Sequence, residues 1–462
     1  MTVIVNARNR LRDLPLPAAA AVCLLSFAAF WAAQRAAHVT MLDLSVYRAE
    51  GETVLSGGDL YAMRATTANL PTTYPPFAAL LFTPLTLLGV PEMRTVATAG
   101  NLLLLLALVR LSLRLVGRDR WVTALLAAAA LVWCEPVWTT LRYGQINLLI
   151  AVAVLWDLTR RERNRWAGVG IGLATAVKLT PGLFVVLLLA VGLIRAREHG
   201  WNPWLRRAAT ATGVFVAVTV GSAVALPYDS RRFWTEMIYE TGRVGRTEET
   251  ANQSLSGVLA RLLHTTDPGH WWLVAALLVG AGGLTVAVRA ALRGDRAVAA
   301  VACGLTALLV SPISWSHHWV WCVPLLVLLA ARPGRHWGWT AGTALVFASF
   351  ALWWVPHAPA PVRLELHQNP GQMLLSALYT LLGLAVLGDF AVRLRAGDRG
   401  YGAGAGTAGT GNVEAGAGTV DARTGAVPGA RRETVAPGPA VEAGGSGTGA
   451  VETGAAQAVA KE

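Results

Sequence analysis

A chain of 462 residues with 54% hydrophobic and only 14% charged residues, and a mean hydropathy of +0.47, is too apolar for a soluble globular protein. The net charge of +12 does not point to nucleic acid. The basic residues come in short clusters between apolar runs, a pattern that orients membrane helices and favours anionic lipid headgroups.

The apolar runs are long enough for helices to cross a bilayer, and period-2 barrel patterning is absent, so the expected fold is an all-α polytopic membrane bundle. Arg8, Arg10 and Arg12 precede the first run. That run is long, is broken by Pro15 and Pro17 and has no small-residue cleavage site, so it reads as an uncleaved helix from about 15 to 33. Positive-inside counting puts those arginines in the cytoplasm and the following polar island, Met41 to Tyr61, outside.

Within the island, Asp43, Tyr47 and Glu50 fall at i, i+4 and i+7, which a helix would align on one face. A carboxylate at a membrane surface beside apolar walls has a raised pKa and can serve as a general base. Spacing alone leaves a solvated loop acid as the commoner reading.

Tyr74-Pro75-Pro76 then opens the run from 76 to 90, which at 1.5 Å per residue is only about 22 Å long. Parity between Asp43 outside and Arg118 inside allows one crossing here. We expect 76–90 to be interfacial or re-entrant, and 95–116 to be the second span. The adjacent prolines stiffen the entry, with or without a role in substrate positioning.

Ten further spans are expected near 121–136, 146–159, 166–178, 181–195, 206–226, 271–290, 297–312, 318–331, 337–355 and 372–390. The total is about twelve, with both termini inside. Basic clusters such as Arg160 to Arg165, Arg195 to Arg207 and Arg332 with Arg335 mark the cytoplasmic ends. The pair around Lys178-Leu-Thr-Pro181 is short and can instead be two half-helices meeting inside the bundle.

The remaining polar residues gather on the outer loops. Arg142, Gln145 and Asn147 at a helix start can bond a sugar or a phosphate, or simply cap and turn the chain. Lys178 between two apolar runs is costly in lipid, and either binds a phosphate or snorkels to the interface. The loop Pro227 to His270 carries Arg231, Arg232, Arg243 and Arg246, an interfacial stretch with Phe233, Trp234 and Met237, and Asn252-Gln253-Ser254. It reads as an anion-gripping surface or as a soluble cap, and the sequon match in Asn-Gln-Ser carries little weight. Paired His317 and His318 between Trp315 and Trp319 can bond phosphate or sugar, although interfacial Trp and His are common. No third ligand for zinc can be placed beside them. The four cysteines lie in or beside apolar runs without CxxC spacing and read as buried small hydrophobes. From about 397 the chain turns to Gly, Ala, Thr, Val and Glu, a composition expected to be a disordered cytoplasmic tail, which leaves 1–396 as the membrane domain.

Taken in order, LDLSVYRAEG, GGDLY, TYPPFAALLFTPL, YGQIN, VKLTPG, NQSLSG and SPISWSHHW resemble the polyprenyl-phosphate-mannose-dependent α-1,2-mannosyltransferases of the glycosyltransferase-C superfamily, best known from actinobacteria. The resemblance covers roughly 15–390; the stretch 353–370 matches no motif, and the tail is extra. It implies a multi-pass plasma-membrane enzyme with an extracytoplasmic site and Asp43 as catalytic base. The implied donor is polyprenyl-phosphate-mannose, and the acceptor a mannose-bearing glycolipid or lipoglycan. On this resemblance His317, His318 and Lys178 meet the phosphate, and Asn252, Gln253 and Gln145 orient the sugar, with Tyr74 and Arg142 as further contacts. A lipid-phosphate donor has no diphosphate to neutralise, so neither a metal nor another cofactor is expected. Two alternatives stay open: a flippase or transporter of a lipid-linked sugar, and the same chemistry with another sugar donor.

Overall fold

A computed structural model describes residues 14–332, 337–357 and 362–405. Arg8, Arg10, Arg12 and Arg335, and the tail beyond Ala405, lie outside the described residues. The described residues are helical, with only two isolated β-bridges, Ala65 to Leu70 and Asn252 to Trp315. This bears out the all-α expectation.

Prolines start several of the helices, because the first helical residue needs no N–H partner and proline's fixed φ suits it. They open or nearly open α1 (Leu16–Ala36), α3 (Pro76–Phe82), α4 (Val90–Leu115) and α6 (Glu135–Tyr143). Between these lie α2 (Leu42–Ser56), in the expected outer loop, and α5 (Trp121–Leu131). The chain continues through α7 (Asn147–Leu158), α8 (Val169–Val177), α9 (Gly182–His199) and α10 (Pro203–Ala225). After a loop of short turns come α11 (Leu255–Leu262), α12 (Gly269–Leu292), α13 (Arg296–Val310) and α14 (Cys322–Ala331). The last helices are α15 (Trp337–Ala348), α16 (Pro370–Ser376) and α17 (Leu378–Ala405), which runs past the expected boundary at 397.

Among the described residues, α1, α4, α10 and α12 are long and apolar enough to cross a membrane. The count rises to six if α5 with α6, bent by 76°, and α16 with α17, bent by 67°, each make one span. Length therefore does not reach the expected twelve. Turn chemistry inside the apolar runs is the reason: Lys178 to Pro181 stops α8 after nine residues, and Ala348 ends α15 before a separate 3-10 turn at Ala351–Trp354. The 318–331 stretch likewise divides into a 3-10 turn, Ser316–Trp321, and α14. The 76–90 run is short and broken: α3 gives way to a 3-10 turn at Thr83–Leu87.

The main core threads α4 to α9 and α12 to α14, with Leu105, Leu155, Val191, Cys303 and Trp319 fully or almost fully buried. All four cysteines are free and buried, as expected. A second cluster joins Met41, Leu44, Tyr47, Tyr74, Phe82, Met93 and Val177, which seats α2 on α3 and on the end of α8. Gly51 permits that seat: a Cβ there would come within 2.8 Å of the Phe82 carbonyl oxygen. The Pro227 loop docks on the island through Arg232 to Asp59, at 2.6 Å, and through the Leu60 N–H to Asp229, at 3.0 Å.

Candidate active site

Helix α2 begins at Met41, held at φ 53°, and ends on Gly57 at φ 68°, whose N–H bonds Thr53 and Val54 carbonyls. Asp43 stands in its first turn, where the helix dipole favours an anion. Its partner arrives from the turn between α6 and α7. Gly144 makes that turn at φ 68°, and a Cβ on it would lie 2.7 Å from Leu44 Cβ, so only a residue without a side chain lets the turn settle against α2. The next residue, Gln145, then donates from Nε2 to Asp43 Oδ2.

The Gln145 amide is fixed from behind. Its Oε1 lies 2.7 Å from the Tyr47 hydroxyl and 3.2 Å from that of Tyr74, and the two hydroxyls are 2.9 Å apart. Tyr47 is itself stacked on Phe82 at 4.3 Å between ring centroids. Tyr74 is delivered by Pro75, whose extended ψ of 157° is the stiff entry expected from the double proline. These contacts hold one Asp43 oxygen and leave the other without a hydrogen-bond partner among the described residues. Burial pushes the Asp43 carboxyl up to about 6, against the Gln145 hydrogen bond and the Lys178 charge, which both lower it.

Asp43, Tyr74, Gln145, Lys178, His317 and His318 all line one cavity of about 660 Å³. Lys178 sits at the break between α8 and α9, in extended conformation, with Nζ 2.9 Å from His318 Nε2 and 3.4 Å from Asn147 Oδ1. The His318 tautomer follows from its other nitrogen. Nδ1 accepts the Trp315 N–H at 3.1 Å, so the imidazole proton is assigned to Nε2. A neutral lysine amine accepts that proton, whereas a charged one makes Nζ and Nε2 two donors that converge on an anion. His317 adds a third group: its Nε2 is buried without a partner among the described residues, while its carbonyl is pinned by Thr140 at 2.8 Å and Asn147 at 3.1 Å.

Three expected contacts lie elsewhere. Arg142 is exposed on α6 and does not line the cavity. Asn252 and Gln253 are fully buried, and their amides serve the protein itself. Asn252 donates to the Thr247 and Pro312 carbonyls and accepts from the Ser314 and Ser254 N–H groups. Gln253 donates to the Thr250 and Ser376 carbonyls and accepts from the Tyr379 N–H. Both amide protons are thereby used in each case: Asn252 zips the loop onto the Ser314 turn and Gln253 ties it to the start of α17, which leaves neither amide N–H for a sugar.

Trp315, which flanks the histidines, and Arg243, from the loop read above as anion-gripping, line the same cavity. So do Glu50, Trp353, His357 and Glu365, which received no substrate role above. Beneath the histidines, Glu135 is wholly buried and accepts from Thr139, Ser316, Trp353 and Tyr379 at 2.8 to 3.1 Å, tying four segments together behind the site. A carboxylate within an apolar run was the available signal.

Comparison with known proteins decides what this constellation belongs to. The family model of glycosyltransferase family 87 matches residues 73–312, just over half of the chain. The chain belongs to this family. A relative from Mycolicibacterium smegmatis, a polyprenol-phosphate-mannose-dependent alpha-(1-2)-phosphatidylinositol mannoside mannosyltransferase, is 36% identical over 75% of this chain and 82% of its own. A pentamannoside mannosyltransferase of the same donor dependence from Mycobacterium tuberculosis is 34% identical over 68% of this chain and 74% of its own. Among solved structures, ArnT from Cupriavidus metallidurans bound to undecaprenyl phosphate aligns over 80% of this chain and 76% of its own, at 15% identity and a TM-score of 0.35, a likeness too loose to argue from. As a family 87 glycosyltransferase the chain is an enzyme, which sets aside the transporter alternative.

Proposed function

We propose that this glycosyltransferase transfers mannose from a polyprenyl-phosphate donor to a mannose-bearing glycolipid on the extracytoplasmic face of the plasma membrane, forming an α-1,2 linkage with inversion. The observation that carries the proposal is the single cavity in which a held carboxylate, Asp43, shares walls with Lys178, His317 and His318. The donor and acceptor named for the relatives support it.

In this reading the free oxygen of Asp43 takes the proton of the acceptor hydroxyl. The hydroxyl oxygen attacks the anomeric carbon from the face opposite the lipid phosphate, the bond from that carbon to the phosphate oxygen breaks, and polyprenyl phosphate leaves. Nζ of Lys178 and Nε2 of both histidines stabilise the charge that develops on the phosphate. Gln145 and the two tyrosines orient the base, and Trp315 offers an apolar wall to a sugar ring.

The extracytoplasmic assignment is supported by which helix ends carry charge. Met93, near the start of α4, packs in the Asp43 cluster, while Arg110 and Arg114 near its end bind Asp119 at 3.1 and 2.8 Å. These positions are about 26 to 32 Å apart at 1.5 Å per residue, close to a hydrocarbon thickness. Likewise α13 begins at Arg296 and leads to Ser311 on the cavity wall. The basic ends of α4 and α13 thus lie away from the site, which supports reading those ends as cytoplasmic.

Donor and acceptor profiling with purified protein tests the reading. Mannose transferred from the polyprenyl donor, with an α-1,2 linkage by mass and linkage analysis of the product, is the expected result. Transfer of a different sugar, or none with mannose donors, would overturn it.

A further inference from the structure

We propose that Glu50 is a sugar-reading carboxylate that binds hydroxyls of the acceptor unit next to the one that reacts, and so sets the acceptor length this enzyme prefers. The proposal rests on the mannosyl-transfer reading above and names a contact that reading does not use.

Glu50 is 0% exposed and lines the cavity, yet neither of its carboxylate oxygens has a hydrogen-bond partner among the described residues. The two groups that would be expected to satisfy it do not. Thr72 Oγ1 lies close enough to influence the carboxyl, but it falls short of hydrogen-bond geometry and is itself unpartnered. Arg243 contributes only its charge: Nε donates to the Met237 carbonyl at 2.9 Å, and Nη1 and Nη2 donate to Thr72 and Thr73 carbonyls at 2.6 and 3.2 Å. Its guanidinium is committed to holding the loop that frames Glu50.

A buried carboxyl with orphaned oxygens is costly, and it persists where something outside the chain completes it. The missing partners are donors, which a glycan supplies as hydroxyls. A phosphate supplies none and would be repelled, so the donor's charged end is the wrong ligand. Position selects the acceptor: Glu50 shares the face of α2 with Asp43 and Tyr47, and seven residues at 1.5 Å place it about 10 Å along the helix from the base. That is roughly two linked pyranose rings, so a sugar whose hydroxyl meets Asp43 brings its neighbour to Glu50.

The test compares an alkyl monomannoside with an alkyl dimannoside as acceptors for purified full-length protein, by initial rates with the polyprenyl donor and by the thermal shift each acceptor gives. With Glu50→Gln, KM for the dimannoside is expected to rise about tenfold, with a much smaller change for the monomannoside and little change in kcat for either, as expected for loss of a hydrogen bond to a charged group. Glu50→Asp, which keeps the charge, should recover part of the loss. The melting temperature of the ligand-free Gln variant should equal or exceed that of wild type, because an unpaired buried acid has been removed. Equal effects on both acceptors, or a dimannoside thermal shift unchanged by the substitution, would overturn the role of Glu50. Absence of wild-type transfer alongside a dimannoside shift that Glu50→Gln abolishes would instead sink the reaction and keep the binding site.

Discussion

At the residue scale the site is a problem of placing one acid. Asp43 titrates near 6 because burial raises it more than Gln145 and Lys178 lower it. A general base acts when ionised, so kcat/KM should climb with pH through about 6 and level off above it. Replacing Gln145 with Leu removes a group that lowers this pKa, and the acid limb should move to higher pH. Linkage gives a second consequence of opposite sense. The folded pKa is raised above the unfolded 3.8, so ionising Asp43 costs folding free energy as pH rises from about 4 to 6. Asp43→Asn should therefore melt at or above the wild-type temperature at pH 8, with the difference vanishing near pH 4. A lower melting temperature at pH 8 would show that the carboxylate stabilises the fold. The i, i+4, i+7 spacing put Asp43, Tyr47 and Glu50 on one helix face, but it was the resemblance of the surrounding motif that singled out Asp43. The buried commitments of Asn252 and Gln253 were not legible, because a sequence shows which amides lie on a loop but not whether backbone groups fold in to consume them.

At the scale of elements, α2 and the Gly144 turn determine whether Asp43 meets Gln145. Gly144→Ala puts a side chain in a left-handed backbone that costs about 1 to 2 kcal/mol, and directs it into Leu44 Cβ at 2.7 Å. We expect lowered thermal stability together with a loss of kcat, while Gly100→Ala, where nothing crowds a Cβ, should change neither. The same elements show where reading stopped. Pro75-Pro76 and the short run after it announced a stiff entry and a short segment, and the structure has a seven-residue helix that gives way to a 3-10 turn. Span counting from apolar runs gave about twelve, whereas among the described residues helix length alone supports four to six, because hydropathy ignores breaks such as Lys178 to Pro181 between α8 and α9 that divide a run into helices too short to cross by themselves.

At the scale of the molecule, the motifs were informative as a set because residues far apart in sequence converge on one cavity: the island, YGQIN, VKLTPG and SPISWSHHW each place a side chain in its wall. The stretch 353–370 carried no motif, although Trp353, His357 and Glu365 line the same cavity; its role is set by position in three dimensions. Orientation is testable in intact cells. A cysteine replacing Leu55, an exposed residue of α2, should react with a membrane-impermeant maleimide, whereas one replacing Arg197 should react only after permeabilisation. The native cysteines, all buried, give a low background. The most direct measurement of the central claim is mannose transfer from polyprenyl-phosphate-mannose by purified wild-type and Asp43→Asn proteins matched for folding by melting temperature. Loss of a general base should lower kcat by about 10²- to 10⁴-fold; transfer by the folded Asn variant at the wild-type rate would contradict the assignment of Asp43 as the base.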